Sequence, residues 1–499
     1  MAGIGFELKK MFEKKGLLSM VKAYGYAGIV TTGPMLLGIA LLLGIRVLGG
    51  IIQAPDEDMR VVNGLITVTL LFSLFITDLM SMPLTRFTAD RIYENRLTRV
   101  MPSFYGGSSL LIVIGAVLYG IFLSFTGEDL YGIVICIILY GELVLVWNQI
   151  NFLTAVKDYR GILLAFFFAV VIALAGCYIG LVVLKLHVIH CMLTTVAAAY
   201  GIMAVWYNRT LTRFFPLGKG STLYFLRALD QYKELMALGL AIALGLFGHI
   251  LIMWYSPVGH PISGVLREAP IYDISALLAF FSILITTISF VTSVEVNFYP
   301  KYKNYFALYN HEGSLRDIEQ AEREMKETLV QELTYTFTKQ FFATVIFIVG
   351  GTLLLPLLPL GMTEDMLGIY RIMCVGYAFY AAGNCVMLIQ LYFADNKGAL
   401  YSGACFAMVA NVGTYITSRM DVKYYGVGFL VGGVVFTFVS LALLYRFMRK
   451  MMRNTLCSQP ILQVERSGLF TRLSESFEAK YREKHPEEYV VSEEVGEAE

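Results

Sequence analysis

Charged residues are scarce in this chain of 499 residues. Asp, Glu, Lys and Arg together make up 15% of it, and the formal net charge is +1. Proteins that bind nucleic acid without sequence preference rely on strongly basic surfaces, so this balance argues against general nucleic-acid binding. Hydrophobic residues reach 57%, more than soluble domains use. Most of the chain is therefore predicted to lie in a membrane rather than to form soluble domains.

Residues that build reactive centres are equally sparse. Most of the seven cysteines lie in apolar stretches and none forms a CxxC pair, so packing is the predicted role for most of them. The six histidines are scattered, and His187 with His190 is the only close pair. A zinc site needs more ligands at workable spacing, so a polar surface loop is favoured for this pair. We predict no metal, no cofactor and no catalytic residues, and we do not expect an enzyme.

Twelve apolar stretches are each long enough to cross a bilayer. A hydrocarbon core of roughly 30 Å needs about 20 mostly apolar helical residues, because unpaired backbone groups cannot be left in lipid. The predicted spans are residues 24–45, 61–85, 103–125, 130–155, 161–184, 188–207, 234–256, 271–296, 340–360, 366–394, 399–418 and 424–445. The fold class is therefore an all-α integral membrane protein with 12 transmembrane helices.

Basic residues concentrate in every second gap between these spans. Of the 39 Lys and Arg, 32 lie in the N-terminal segment, the even-numbered gaps and the C-terminal tail. Six lie in odd-numbered gaps, and one, Arg371, lies within a span. Short loops rich in Lys and Arg stay on the cytoplasmic side, so both termini are predicted to be cytoplasmic. The odd-numbered gaps are short, which leaves no room for a catalytic domain on the other side.

The two halves of the chain are related by a weak repeat. The pattern FSxxIT begins at Phe72 in the second span and again at Phe281 in the eighth, an offset of 209 residues. The same offset carries Tyr93 and Asn95 onto Tyr302 and Asn304. Each half holds an even number of spans, so the repeats are parallel. This predicts two parallel six-helix lobes facing each other across a central path.

The predicted domain boundaries follow from these patterns. An interfacial or cytoplasmic amphipathic helix (1–23) precedes an N-terminal lobe (24–210), a cytoplasmic linker (211–232), a C-terminal lobe (233–447) and a cytoplasmic tail (448–499). The second lobe contains a cytoplasmic helical insertion, 297–339, with a capping box at Ser314-x-x-Asp317. Two interpretations stay open for that insertion, a surface helix that docks a partner and a solvated helix that only connects two spans.

Charged and polar residues inside the spans are the candidate transport residues. A charge at mid-bilayer costs roughly 2.5–3.5 kcal/mol on insertion scales, so such side chains usually face a cavity or a partner. The charged residues within the spans are Asp78, Glu142, Glu295 and Arg371. Glu295 lies near a cytoplasmic end and can simply reach water, so Asp78, Glu142 and Arg371 are the candidates. Glu142 is followed by a polar run at Trp147, Asn148 and Gln149.

One face of the tenth predicted span combines two aromatic rings with an amide. Tyr377, Tyr380 and Asn384 recur at i, i+3 and i+7, which places them together on a helix. Rings offer flat surfaces to sugars and amides exchange hydrogen bonds with hydroxyls, so this face is a candidate carbohydrate path. Tyrosines at helical spacing also serve as packing or interfacial anchors, and that alternative stays open.

The N-terminal sequence carries a family resemblance. The opening MAGIGFEL, followed by AYGYAG at Ala23 and by Gly33-Pro34, resembles the start of the PelG family. This resemblance implies an inner-membrane exporter of the Pel exopolysaccharide, within the superfamily of polysaccharide flippases and multidrug antiporters. It also implies a cytoplasmic Pel glycosyltransferase and regulatory membrane subunits as partners, one of which senses cyclic di-GMP. It assigns no residue-level role.

Three functions are compatible with the sequence. The favoured one is export of a nascent, N-acetylhexosamine-rich polysaccharide across the bacterial cytoplasmic membrane. An H⁺- or Na⁺-coupled antiporter of small organic cations, or a flippase for lipid-linked oligosaccharides, is the second. The third is a scaffold that anchors a polysaccharide synthase without transport, although such a role does not require carboxylates inside the spans.

Overall fold

The structure is a computed structural model that describes most of the chain. The described residues are 38, 40–156, 159–218, 220–310, 313–358, 361–451, 453 and 468–484. The predicted amphipathic helix at 1–23 and most of the first predicted span lie outside them.

Helices account for almost all of the described chain. In order they are α1 (Ala40–Ile51), α2 (Asp56–Tyr93), α3 (Val100–Leu123), α4 (Leu130–Val156), α5 (Tyr159–Tyr178), α6 (Val188–Phe214), α7 (Leu226–Gln231), α8 (Lys233–Trp254), α9 (Pro270–Phe280), α10 (Leu284–Ser293), α11 (Tyr299–Asn310), α12 (Leu315–Leu354), α13 (Glu364–Tyr392), α14 (Asn396–Thr417), α15 (Val427–Arg449) and α16 (Leu469–Lys484). A hairpin of β1 (His260–Ser263) and β2 (Leu266–Glu268) joins α8 to α9. The sequence did not indicate this hairpin.

Eleven helical segments of the described chain are long and apolar enough to cross a membrane. They coincide with the second to twelfth predicted spans, so these eleven are confirmed in length and composition. Helix α1, a shorter apolar helix, overlaps the end of the first predicted span. The helix α8, at Lys233–Trp254, occupies the range onto which the 209-residue offset carries that first span.

The chain divides into two compact units. The N-terminal unit contains the described residues of 37–240, 261–266 and 460–499. The C-terminal unit contains those of 241–260 and 267–459. The domain boundaries predicted from the sequence stay predictions.

Tyrosine side chains stabilise the core of the N-terminal unit by packing and hydrogen bonding. The hydroxyls of Tyr119 on α3 and Thr69 on α2 lie 2.6 Å apart, and the Tyr140 hydroxyl on α4 donates to the Leu111 carbonyl over 2.9 Å. Phe72 stacks on Tyr119 with ring centroids 5.0 Å apart. Each ring fills space while its hydroxyl finds a partner inside the protein, which is how a tyrosine is accommodated where lipid offers no hydrogen bond.

Glycines bring α14 and α15 into close contact in the C-terminal unit. A Cβ atom added at Gly428 would lie 2.1 Å from the backbone nitrogen of Thr414 and 2.2 Å from the carbonyl carbon of Gly413. One added at Gly432 would lie 2.5 Å from the Cβ of Ala410. Gly428-x-x-x-Gly432, a spacing of small residues typical of close helix packing, therefore lies at the contact between α14 and α15.

The predicted insertion at 297–339 is part of two longer helices. Helix α11 continues the eighth span through a π-helical turn at Val294–Phe298, and the 40 residues of α12 run directly into the ninth. At 1.5 Å per residue, α12 is about 60 Å long, roughly twice the hydrocarbon thickness, so part of it projects from the membrane. The capping box at Ser314 and Asp317 is confirmed.

The apolar side of α12 is covered by the chain itself. Met325 and Leu329 are buried in a cluster with Phe298, Tyr305 and Phe393 of the same unit. The outward side carries Glu319, Arg323, Glu327 and other exposed polar residues. A dock on this helix would therefore have to use its charged side, because its apolar face is already occupied.

Acidic residues of the odd-numbered gaps occupy helix N-termini. Asp56, Glu57 and Asp58 form the first turn of α2, and Glu364 and Asp365 begin α13. Negative charge near the free N–H groups of a helix start contributes about 0.3–1 kcal/mol each. These residues thus start the helices that enter the membrane from that side.

The glycine contact yields a stability prediction. Gly428→Leu must push α14 and α15 apart, so we expect the free energy of unfolding to fall by about 1–3 kcal/mol or more. Gly368→Ala on α13 is the matched control, because no atom lies within 4 Å of its added Cβ. Thermal unfolding of the purified proteins in detergent measures the difference, and equal melting temperatures would contradict the close approach.

Candidate functional site

Helix α4 carries an unusually polar run for a membrane span. The Trp147 indole Nε1 donates to Ser73 Oγ on α2 over 3.1 Å, and Asn148 Nδ2 donates to Ser108 Oγ on α3 over 3.3 Å. Asn148 is buried, with 1% of its surface exposed. Because lipid offers no partner, polar side chains at this depth bind neighbouring helices. Trp147 and Asn148 thus tie α4 to two different helices.

The next polar residues of α4 extend this pattern. Gln149 Nε2 donates to the Ala204 carbonyl of α6 over 2.9 Å, and Asn151 Nδ2 donates to Ser81 Oγ of α2 over 2.9 Å. The donor groups of the run therefore hold the helix bundle together. That Trp147, Asn148 and Gln149 also line a transport path stays a prediction.

Glu142 lies on the same side of α4 as Gln149 and faces α6. Its Oε1 packs against Gly201, where an added Cβ would lie only 2.6 Å away. Its Oε2 is buried and has no hydrogen-bond partner within the described part of the chain. The missing side chain of Gly201 leaves room for the carboxylate without supplying a donor.

Asp78 is the second carboxylate of the N-terminal unit that lies within a span. It is half-buried on α2, and none of the described residues hydrogen-bonds to its carboxylate. Its backbone is tightly packed, since a Cβ added at Gly239 of α8 would lie 2.1 Å from the Asp78 carbonyl oxygen. The backbone of Asp78 is therefore fixed by α8, while its carboxylate is available.

Asp78 and Glu142 together are called the open carboxylates below. A charged carboxylate inside a membrane bundle is costly unless a proton, a cation or hydrogen-bond donors compensate it. Ionised carboxylates only accept hydrogen bonds, so whatever satisfies them must donate or be positively charged. The open carboxylates can thus bind protons, metal cations, ammonium groups or sugar hydroxyls.

The aromatic face predicted on the tenth span lies inside the C-terminal unit. Tyr377 is 3% exposed, and its ring centroid lies 4.7 Å from Phe429 and 5.2 Å from Phe280. Tyr380 is 6% exposed and lies 5.3 Å from Phe406. These contacts match the packing alternative that the sequence left open, and a carbohydrate path along these rings stays a prediction.

The other two candidates on α13 have different surroundings. Arg371 Nε donates to Thr352 Oγ1 of α12 over 3.1 Å. Asn384 is half-buried. The Arg371 guanidinium thus reaches a polar partner on the adjacent helix.

A buried histidine on α8 was missed by the sequence reading. His249 is fully buried, its Nδ1 lies 2.8 Å from the Tyr272 hydroxyl, and its ring lies 4.5 Å from that of Phe429. Its Nε2 has no hydrogen-bond partner among the described residues. A single histidine in an apolar stretch gives no signal of such pairing, because Tyr272 lies on another helix.

Asp273, at the start of α9, was also missed. Its Oδ2 accepts hydrogen bonds from Trp254 Nε1 over 2.8 Å and from the Ala269 backbone N–H over 3.0 Å. These bonds join the end of α8 to the first turn of α9. Asp273 therefore has a structural role through Oδ2, while its Oδ1, like Glu142 Oε2, is buried without a hydrogen-bond partner among the described residues.

The predicted polar pair His187 and His190 lies at the start of α6. His190 Nε2 is 3.0 Å from Asp129, a loop residue before α4. The Gly132 backbone N–H, together with His190, lowers the pKa of the Asp129 carboxyl. Within the described residues, no group of three or more His, Cys, Asp and Glu is arranged to hold a metal ion.

Comparisons with known proteins place this geometry in a family. The sequence profile of PelG, an exopolysaccharide exporter family (EPS-E), matches residues 1–456. No curated protein sequence matches the chain.

Solved structures show the fold. A MOP superfamily transporter from Pyrococcus furiosus is 11% identical, with a TM-score of 0.58 over 85% of this chain and 96% of that one. A multidrug resistance MATE transporter in an outward-facing conformation is 14% identical, with a TM-score of 0.55 over 87% and 97%. A eukaryotic MATE transporter is 11% identical, with a TM-score of 0.53 over 92% and 99%.

The helical architecture, the eleven described spans and these similarities agree with one another. The fold is that of MOP superfamily transporters, which have twelve helices in two lobes. The protein is a multi-pass membrane transporter by family and by fold. With nine-tenths of its length matched by one profile, the chain belongs to the PelG family of exopolysaccharide exporters.

Proposed function

We propose that the protein exports a nascent Pel-like, N-acetylhexosamine-rich exopolysaccharide across the bacterial cytoplasmic membrane. The family match and the transporter fold support export of a polysaccharide. The proposal extends to Asp78 and Glu142 because the Glu142 Oε2 is buried without a hydrogen-bond partner among the described residues, and no described residue hydrogen-bonds to the Asp78 carboxylate.

The chemistry of these carboxylates suits such a cargo. Sugar hydroxyls and amides donate hydrogen bonds, and a deacetylated hexosamine carries an ammonium group. Hydrogen bonds to an ionised acceptor are shorter and roughly twice as strong as neutral ones. A partly cationic sugar chain can therefore compensate Asp78 and Glu142 as it passes, and each sugar unit can be replaced by the next.

The length of the cargo constrains the mechanism. A polymer that is still being extended cannot be enclosed whole inside a membrane protein. Passage must then be channel-like or stepwise, with a few sugar units in the membrane at any moment. Weak, repeated contacts favour such passage of the polymer, because a cargo that binds too tightly cannot leave.

We also propose a cytoplasmic glycosyltransferase as the partner that supplies the chain, with regulatory membrane subunits, one of them sensing cyclic di-GMP. Helix α12 extends beyond the membrane and offers an exposed charged stripe at i, i+4 and i+8, formed by Glu319, Arg323 and Glu327. Charged surfaces steer association and select partners. This stripe is the proposed contact for the glycosyltransferase.

A cation-coupled antiporter is the second candidate function. The same open carboxylates can exchange H⁺ or Na⁺ for an organic cation, and solved structures with the same fold include multidrug resistance transporters. The two functions differ in their cargo and therefore in which activity depends on Asp78 and Glu142.

Neutralising the open carboxylates tests both functions. Asp78→Asn and Glu142→Gln keep the size of the side chains but remove the charge. A hydrogen bond to a charged acceptor contributes about 1.5–3 kcal/mol, and about 1.4 kcal/mol is a factor of ten, so we expect polymer secretion to fall roughly tenfold or more. Secreted polymer and cation-driven efflux of organic cations are measured in the same strains.

Glu364→Gln is the control, because it removes an exposed carboxylate from the first turn of α13. Loss of cation exchange with unchanged secretion would replace the exporter by the antiporter. Unchanged secretion and exchange in both variants would remove the role of Asp78 and Glu142 while leaving the family assignment intact.

Charge reversal on α12 tests the partner. Glu319→Lys combined with Glu327→Lys should reduce co-purification of the glycosyltransferase several-fold without changing the amount of folded exporter, since both residues are exposed. Lys423→Glu, an exposed residue in an odd-numbered gap, is the control and should retain the partner. Full recovery of the glycosyltransferase with the double variant would refute this contact.

A further inference from the structure

The tail helix α16 is attached to the N-terminal unit by a polar face. Thr471, Ser474 and Glu478 are 3%, 0% and 6% exposed, and they recur at i, i+3 and i+7. Amphipathic helices of soluble proteins usually bury the opposite, apolar face. Helix α16 is therefore attached through its polar face, unlike most amphipathic helices of soluble proteins.

An ion pair fixes the middle of this face. Glu478 Oε1 lies 2.8 Å from Arg99 NH2, and its Oε2 lies 3.6 Å from Arg227 NH2. Both guanidinium groups lie over the ring of Tyr224, at 4.6 and 5.0 Å from its centroid. Removing one partner from such a shielded pair leaves charge uncompensated, so the polar face is committed to the protein.

The start of α16 has its own anchor. Asp230 accepts hydrogen bonds from the Thr471 backbone N–H over 2.7 Å and from its hydroxyl over 2.8 Å. A carboxylate at a helix N-terminus satisfies free N–H groups and favours the helix dipole. Two separate attachments therefore fix the rotation of α16 about its own axis.

The apolar residues of α16 are left outside this attachment. Leu469, Phe470, Leu473 and Phe477 are 71%, 37%, 43% and 41% exposed. At 3.6 residues per turn, the centre of this group lies about 120° around the helix from the attached face. A helix that lies along the side of a membrane protein presents one face to the protein and the adjacent face to lipid.

The position of α16 along the membrane normal agrees with a helix that contacts lipid. Arg99 directly precedes α3, and Asp230 lies three residues before α8, and both helices belong to membrane spans. The contacts of α16 are therefore made where the spans leave the membrane. Lys480 and Lys484 lie on the same side of the helix as Leu473, where an anionic headgroup would sit.

We propose that α16 is an interfacial helix that binds anionic phospholipid on the leaflet that the basic residues predict to be cytoplasmic. Leu473 and Phe477 insert among the headgroups, Lys480 and Lys484 contact their phosphates, and Glu478 joins the helix to the N-terminal unit. The helix thereby couples the linker at Arg227 and Asp230 to the lipid surface. An apolar face flanked by basic residues is the usual composition of such helices.

Spin labels on the full-length protein in lipid nanodiscs test this. Leu473→Cys and Phe477→Cys are compared with Glu475→Cys, a position exposed on another side of the helix, where the native carboxylate lies 3.7 Å from Arg227 NH2. The background is Cys405→Ala and Cys457→Ala, and five other cysteines are buried. In nanodiscs with phosphatidylglycerol, labels at 473 and 477 should be more accessible to oxygen than to a water-soluble nickel chelate, and the label at 475 should show the reverse.

The lipid dependence and the attachment are tested separately. Exchanging phosphatidylglycerol for phosphatidylcholine, or introducing Lys480→Glu with Lys484→Glu, should shift labels 473 and 477 towards nickel accessibility. Glu478→Gln should increase the mobility of all three labels, because it removes the ion pair, which is one of the two attachments.

Nickel accessibility at 473 and 477 equal to that at 475 in both lipids would overturn the proposal. Protection of 473 and 477 from both reagents would overturn it too, since a protein surface would then cover this face. Unchanged label mobility with Glu478→Gln would refute the role of the Glu478 ion pair in the attachment. Transport is not measured, so the outcome is independent of the proposed function.

Discussion

The absence of hydrogen-bond partners in lipid is the constraint on which the rest of this structure depends. A backbone group or polar side chain within the bilayer must be satisfied by the protein itself. Helix formation satisfies the backbone groups. Side chains such as Tyr140, Asn148 and Gln149 are satisfied by hydrogen bonds to other helices. Polar residues in these spans therefore hold the bundle together, as apolar packing does in soluble proteins.

The open carboxylates differ from the polar side chains that join helices. Asp273 lies in a span too, but the Trp254 indole and a backbone N–H hold it at a helix start. Glu142 faces a glycine that supplies space and no donor, and its Oε2 lacks a described partner. A site that binds and releases cargo must keep acceptors available, because an acceptor satisfied by the protein gains nothing from a ligand. Asp273 Oδ1 is also buried without a described partner, but Asp273 Oδ2 already joins two helices, whereas no such role is seen for Glu142; that Asp78 and Glu142 serve transport stays a prediction.

The sequence predicted the features that depend on short stretches of chain. Eleven spans followed from apolar length, and the box at Ser314 followed from its spacing. Contacts between distant residues could not be predicted in this way. Trp147 and Ser73 are 74 residues apart, and nothing in either segment indicates that they meet. The hydrophilic start of α12 looked like a separate insertion because composition changes there while the helix continues.

Charged residues outside the spans indicate the membrane topology and also contribute to local structure. Arg99 belongs to the basic residues that predict a cytoplasmic gap, and it also pairs with Glu478 of α16. Asp56 and Glu364 belong to acidic gaps, and they also begin α2 and α13. A helix that enters from the acidic side has its positive end there, and a helix that ends on the basic side, such as α15, has Arg446 and Arg449 near its negative end. The charge asymmetry from which the orientation of the chain is predicted therefore also stabilises the helix ends of the folded protein.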